Sequence, residues 1–458
     1  MSSDELLGIA ERALELATTP EQTQVTVIKE RSLLAHFSDS KEMQVESFGA
    51  ITVEAMCVDS GHTAIATTNS PDAKSLTSVV AAAANAAQAL ATSGDGSYPG
   101  LPASLQPPRS HNGWDAATAR VDQESAAIAG QVALEIVGDR QLHANGLWST
   151  GEVTTAIVSG AGIKVTDAVT DAYLEVLASD GRGLCGYASA AASAIGEISS
   201  AAIAEEATSR IPRGEQTTLA PGEYTVVFDA CAVGVLLDCL GRMAFGGLAF
   251  AQGTSALCGR LGTRVAASAI NLSDTPRFGS TLPRAFDAEG VAKAPIPLIQ
   301  DGVAHRVVHD TRSAGILGGS ARSTGHALAA GGARTGPAPT NLVLVGGGAA
   351  SIEELTQPIK HGVYVTRLAS IKAVSPEQAL VTFTTRDGSF LIEDGEITQP
   401  IREIEFTDSL LSILSGVQAL GSQPRLTREP LFTRPRFASG VVCPAIRVGG
   451  LHVTGLAR

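Results

Sequence analysis

Two histidines four residues apart are the first feature that could do chemistry. In His305-Arg-Val-Val-His309 both imidazoles fall on one face of a helix or a strand, a spacing with which proteins hold a divalent metal. The pair follows the turn residues Asp301-Gly302 in a strand-like run and has no Glu of the zinc-protease kind. It therefore also reads as two structural histidines, and His305 and His309 stand as alternative metal candidates. A serine hydrolase asks for a G-x-S-x-G elbow, and the sequence has none. Gly346-Gly347-Gly348 follows the apolar run Asn341–Val345 as a phosphate loop follows its strand, but no Lys-Ser/Thr comes after it, which favours a structural turn. Cys231 opens the helical run 230–240, where a helix dipole could lower a thiol pKa. No histidine stands close by in sequence to act as its base, so a buried thiol is the competing reading.

Such groups need elements to position them. Leu6, Leu7, Ala10, Ala13, Leu14 and Ala17 recur at helical spacing and predict an opening helix over Glu5–Ala17. Strand-like runs follow at Gln24–Lys29 and Ser32–Phe37, and Gly49–Val58 with Gly61–Thr68 predict a hairpin around Asp59-Ser60-Gly61. An Ala-rich helix over Ser75–Ala91 has Asp72 as its N-cap. Residues 93–115 are dense in Pro, Gly and Ser and read as a linker or long loop. A second unit over 116–211 begins with a helix at Ala116–Val137, continues in strands at 146–159, 162–169 and 170–178, and closes with a helix near 198–209. Residues 212–458 alternate short strands with Gly-rich turns. The class is α+β: N-terminal α/β subdomains at 1–92 and 116–211, then a large sheet-dominated C-terminal domain at 212–458.

The chain has 458 residues, 44% hydrophobic and 17% charged, with 48 glycines, so it packs on aliphatic side chains and is not a disordered sequence. No stretch reads as the roughly 20 apolar residues of a membrane-spanning helix. No export signal is visible at the acidic start, and six scattered cysteines without a C-x-x-C pair suit reduced thiols, so a cytoplasmic location is expected. With 33 basic against 46 acidic residues the net charge is −13, and no basic stripe is present. Nucleic acid is not expected as a direct partner.

Several segments together resemble the TldD/PmbA family, in particular its PmbA (TldE-like) branch: 219–228 (LAPGEYTVVF), 255–262 (SALCGRLG), 286–291 (FDAEGV), 298–314 (LIQDGVAHRVVHDTRSA), 323–326 (STGH), 339–345 (PTNLVLV), 361–368 (HGVYVTRL) and 443–455 (CPAIRVGGLHVTG). The likeness runs along the whole chain, including 59–76 and 159–175. It implies a cytosolic two-component zinc protease in which the TldD-like subunit carries His-Glu-x-x-x-His and a downstream cysteine ligand. The corresponding stretch here is Ala230-Cys231-Ala232-Val233-Gly234-Val235. Ala230 and Val235 stand at the two histidine positions and Cys231 at that of the general base.

An alanine and a valine supply no donor atom, so no zinc site is expected there, and Cys231 or Cys443 alone cannot replace the missing ligands. The resemblance then implies a subunit with no cofactor of its own, paired with a TldD-like subunit that holds the zinc and acts on unfolded peptide. Asn341, Val343, Tyr364 and Thr366 are expected to line the peptide groove, because sheet edges bind any extended backbone. Two alternatives stand beside this reading: a homodimeric module that binds unfolded peptides without cutting them, and an autonomous hydrolase built on His305 and His309. The family has also carried the label of a DNA gyrase modulator, which a chain of net −13 supports only through an indirect effect.

Overall fold

The computed structural model describes residues 1–458 except 40, 95, 104, 105, 350, 429–434 and 458. Its first half is built on one antiparallel sheet. Strands β1 (Thr23–Ser38), β2 (Lys41–Asp59), β3 (His62–Thr68), β4 (His143–Ser159), β5 (Lys164–Ser179) and β6 (Cys185–Ala192) lie in the order β3-β2-β1-β4-β5-β6. The strands on either side of the 93–115 segment thus share one sheet, joined where β1 pairs with β4 from Gln24↔Ser159 to Ser38↔Asn145. The two runs expected at 24–29 and 32–37 are one strand, and those at 162–169 and 170–178 are another. Pairing to a long neighbour on both sides carries each through its polar middle.

Along β1 the odd positions Val25, Val27, Leu33, Ala35 and Phe37 are buried on one face. Helices α1 (Ser3–Glu15) and α2 (Ala73–Ala91) pack on one end of that face, against Val25, Val27, Val53 and Ala55. Helices α4 (Gln123–Gly138) and α5 (Ser200–Ser209) cover the other end, against Leu33, Ala35, Phe37 and Trp148. The short α3 (Ala116–Arg120) precedes α4, so the helix expected over 116–137 is two. It breaks because the Asp122 side chain accepts the Ser125 backbone N–H and starts a new helix. Asp72 caps α2 as its position suggested. In the β2–β3 turn Ser60 and Gly61 both have positive φ, 48° and 75°, the geometry that a two-residue hairpin requires.

The even face of β1 is polar yet buried: Gln24, Thr26 and Glu30 are 1%, 6% and 6% exposed. It meets the C-terminal half, where Gln24 donates to the Ala288 carbonyl at 2.9 Å and Glu30 accepts from the Arg436 backbone at 2.8 Å. Residues 93–115 contain no strand among the described residues. They form a strap held by Tyr98, whose backbone N–H donates to the Gly61 carbonyl and whose hydroxyl bonds Glu289 at 3.1 Å.

The C-terminal half contains two further sheets, one of six strands and one of nine. Strand β7 (Gly222–Phe228) lies inside the larger, parallel to His361–Val365 and antiparallel to Ile446–Leu456. It leads into α6 (Ala230–Ala244). Ala232, Val233, Leu236, Leu237 and Leu240 repeat at helical spacing and are at most 4% exposed, in a core shared with both sheets. Each such leucine contributes roughly 1.5–3 kcal/mol by leaving water. Among the described residues no helix is long and apolar enough to cross a membrane.

Candidate functional site

The start of α6 carries a connected polar network. Asp229 is its N-cap and accepts the Ala230 backbone N–H at 2.6 Å. The same carboxylate takes Nη2 of Arg210 at 2.6 Å and the Tyr364 hydroxyl at 3.2 Å. Arg210 also pairs with Glu206 at 2.8 Å, and Glu206 is gripped from its other side by Arg425 through two bonds of 2.6 and 3.0 Å. The network ties α5 of the first half to α6 and to the strand Arg425–Thr427. Buried carboxylates are stable only when paired and hydrogen-bonded in this way.

Ala230 faces inward, and its carbonyl accepts from the Cys443 thiol at 3.3 Å. Cys231 and Val235, one turn apart, face outward onto a cavity of about 260 Å³ together with Tyr187, Ser189, Arg242 and Arg367. The Arg367 guanidinium lies 3.7 Å above the Tyr187 ring of β6, and the two side chains wall this cavity together. Gly234 is packed so tightly on the next strand that a Cβ there would come within 1.9 Å of Thr427 Oγ1. Burial, and then the Asp229 carboxylate, push the Cys231 thiol up, against the opposing charges of Arg210 and Arg425. It stays protonated at neutral pH and is not an activated nucleophile. Burial likewise raises Cys443. All six cysteines are free thiols.

The histidine pair does not act as a unit. His305 is exposed, whereas His309 is buried with Nδ1 3.2 Å from Ser313 Oγ. The strand ends at Ala304 and the chain then turns irregular, so the one-face geometry that motivated a metal is not realised. Among the described residues no three or more His, Cys, Asp or Glu gather as metal ligands.

The expected groove positions are also interior. Asn341 and Val343 are 1% and 3% exposed in a strand paired on both sides, to 272–274 and to 440–443. The Asn341 amide donates to the Leu282 carbonyl at 2.6 Å. Tyr364 lies in a strand flanked by β7 and by Ser389–Glu393, and Thr366, just beyond it, donates to the Gly388 carbonyl at 2.7 Å. Neither segment leaves a backbone edge for a peptide, because long-range pairing that no local pattern announces has used both sides. Gly347 donates its N–H to the Gly421 carbonyl, so the glycine run is a structural turn.

Sequence reasoning missed Asp229, Arg210, Glu206 and Arg425. Only Asp229 carried a signal, an acidic residue between a strand and an apolar helix, which is an N-cap signature.

The chain is an α+β protein whose strand-fed helix α6, capped by Asp229 and backed by Cys443, is packed in a core shared with both sheets of the C-terminal half. The chain belongs to the PmbA/TldD family: residues 221–455 match the family's PmbA/TldA metallopeptidase C-terminal domain. It is 31% identical over 206 residues to a metalloprotease of Methanothermobacter thermautotrophicus, covering 45% of this chain and 44% of that one. It is 29% identical over 215 residues to a metalloprotease of Archaeoglobus fulgidus, covering 44% and 46%. The chain therefore spans less than half the length of these relatives. Its fold is shared with TldE from Thermococcus kodakarensis, at a TM-score of 0.85, 17% identity and coverage of 99% of this chain and 100% of that one. It is shared too with a protein from Bacteroides thetaiotaomicron described as a modulator of DNA gyrase, at 0.81, 21% identity and coverage of 99% of each.

A metallopeptidase family implies a metal, and the residues at the start of α6 do not fit one. Ala230 and Val235 carry no donor atoms, and the Cys443 sulfur is turned onto a backbone carbonyl.

Proposed function

We propose that this chain is the non-catalytic, TldE-like subunit of a cytoplasmic TldD/TldE-type zinc metallopeptidase that degrades or processes unfolded peptides, the zinc being held by a TldD-like partner. One observation carries the reading: the turn of α6 that opens the site offers Ala230, Cys231 and Val235, two methyl-bearing side chains and a protonated thiol. Family membership supports the reaction class. The intact architecture around a donor-poor helix supports a subunit retained for assembly and substrate handling. The cavity beside α6, walled by Tyr187 and Arg367, gives a partner or a peptide a surface at the same location.

The test is to purify the chain alone and together with a TldD-like subunit, measure zinc, and assay cleavage of an unfolded peptide. The expected result is no stoichiometric zinc and no turnover for the chain alone, and one zinc per pair with turnover for the complex. A metal held stoichiometrically at Ala230–Val235 by the isolated chain overturns the proposal.

A further inference from the structure

A second cavity, of about 740 Å³, lies between the strap and the C-terminal half, inside the size range of ligand pockets. Its charge is the reverse of the molecule's. The chain carries 46 acidic residues and a net charge of −13, yet among the described residues no Asp or Glu lines this cavity. Three arginines do: Arg109, Arg277 and Arg322. None of them forms an ion pair among the described residues.

Arg322, exposed at the rim, reaches only backbone carbonyls, those of Ala321 at 2.7 Å and Gly319 at 3.4 Å. Arg109 is exposed as well. Arg277 is half-buried: its Nη2 donates to the Lys293 carbonyl at 3.1 Å, while its Nη1 is shut off from bulk water and has no hydrogen-bond partner. A guanidinium N–H removed from water without an acceptor is costly, and a ligand that brings an oxyanion removes that cost. Two carboxylates behind the wall are already engaged: Glu289 by the Thr311 backbone N–H and hydroxyl at 3.0 and 2.5 Å, and Asp274 by the lining Lys293 at 3.5 Å. The remaining walls include Pro99 and Pro107 of the strap and, from the C-terminal half, Val291, Pro295 and Ala314. Rigid apolar walls around unpaired guanidinium groups suit a chain that alternates carboxylates with small apolar groups better than a bare inorganic ion.

We infer that this cleft binds an acidic peptide segment, its carboxylates reaching Arg277 between Arg109 and Arg322 while its backbone and apolar side chains lie along the proline walls. The site is distinct from the start of α6 and does not depend on the metallopeptidase reading.

Fluorescence anisotropy with a labelled octapeptide of alternating Glu and Ala, on the full chain at low ionic strength, tests it. The acidic peptide is expected to bind, and its Lys/Ala counterpart is not. Arg109→Gln with Arg322→Gln, both exposed and safe for folding, should weaken binding about tenfold, and added salt should weaken it further. The same charge change made elsewhere, Arg182→Gln with Lys360→Gln, should leave it unaltered. Equal weakening by the control pair, or displacement of the peptide by an equal concentration of inorganic phosphate, overturns the inference.

Discussion

Glu289 shows how burial sets the chemistry of a single residue. Its carboxyl is fully buried, with the Tyr98 hydroxyl on one oxygen and Thr311 on the other. Desolvation first, and then the neighbouring Asp287, push its pKa up to about 8. The folded protein therefore holds this proton more tightly than the unfolded chain does. Stability from this residue is lost as pH climbs from the ordinary carboxylate range through about 8. Glu289→Gln removes the titration and keeps both contacts, its carbonyl accepting from Thr311 and its amide donating to the Tyr98 oxygen. We expect the variant to match the native protein in thermal midpoint near pH 5 and to exceed it near pH 9; equal midpoints at both would show that Glu289 titrates normally.

At the scale of the element, α6 is fixed by its cap and by its closeness to the strand Arg425–Thr427. Gly234 lets the helix approach Thr427 where no Cβ fits. Gly234→Ala gains helix propensity but must push helix and strand apart, and overpacking of this kind costs about 1–3 kcal/mol. Urea unfolding should show that loss, and adding Thr427→Ala should recover part of it, since the two positions share one contact. A fully additive double variant would locate the strain elsewhere. Although its cap at Asp229 was not picked out, the helix was legible in the sequence as a helical run over 230–240. Its depth between two sheets was not, because nothing local distinguishes the strands that flank it. For the same reason Asn341, Val343, Tyr364 and Thr366 read as sheet residues but not as interior ones.

For the whole molecule the question is what joins the halves. Asp171 on β5 is 2% exposed and accepts Nε of Arg436 at 2.6 Å and Nη2 at 2.7 Å, with Arg428 on the same carboxylate. Both arginines belong to the C-terminal half, so one buried carboxylate fastens the polar face of the N-terminal sheet to it, and the two arginines hold that carboxylate well below its usual range despite burial. Asp171→Ala leaves two cations without their partner and is expected to cost about 3–5 kcal/mol. Limited proteolysis should then cut between the halves faster than in the native protein; unchanged cleavage would mean that the apolar contacts alone hold them.

The sequence by itself determined the α+β class, the hairpin at Ser60-Gly61, the cap at Asp72, and the lack of donors at Ala230 and Val235. Each is a local property, set by side-chain chemistry or by spacing within a few residues. Only the tertiary structure decided that one sheet spans the first half, that His305 and His309 part company, that Cys443 meets Ala230, and that three arginines line one cleft. Those outcomes depend on which distant segments pair across the chain, and pairing is selected by the free energy of the whole packed core, which no short window contains.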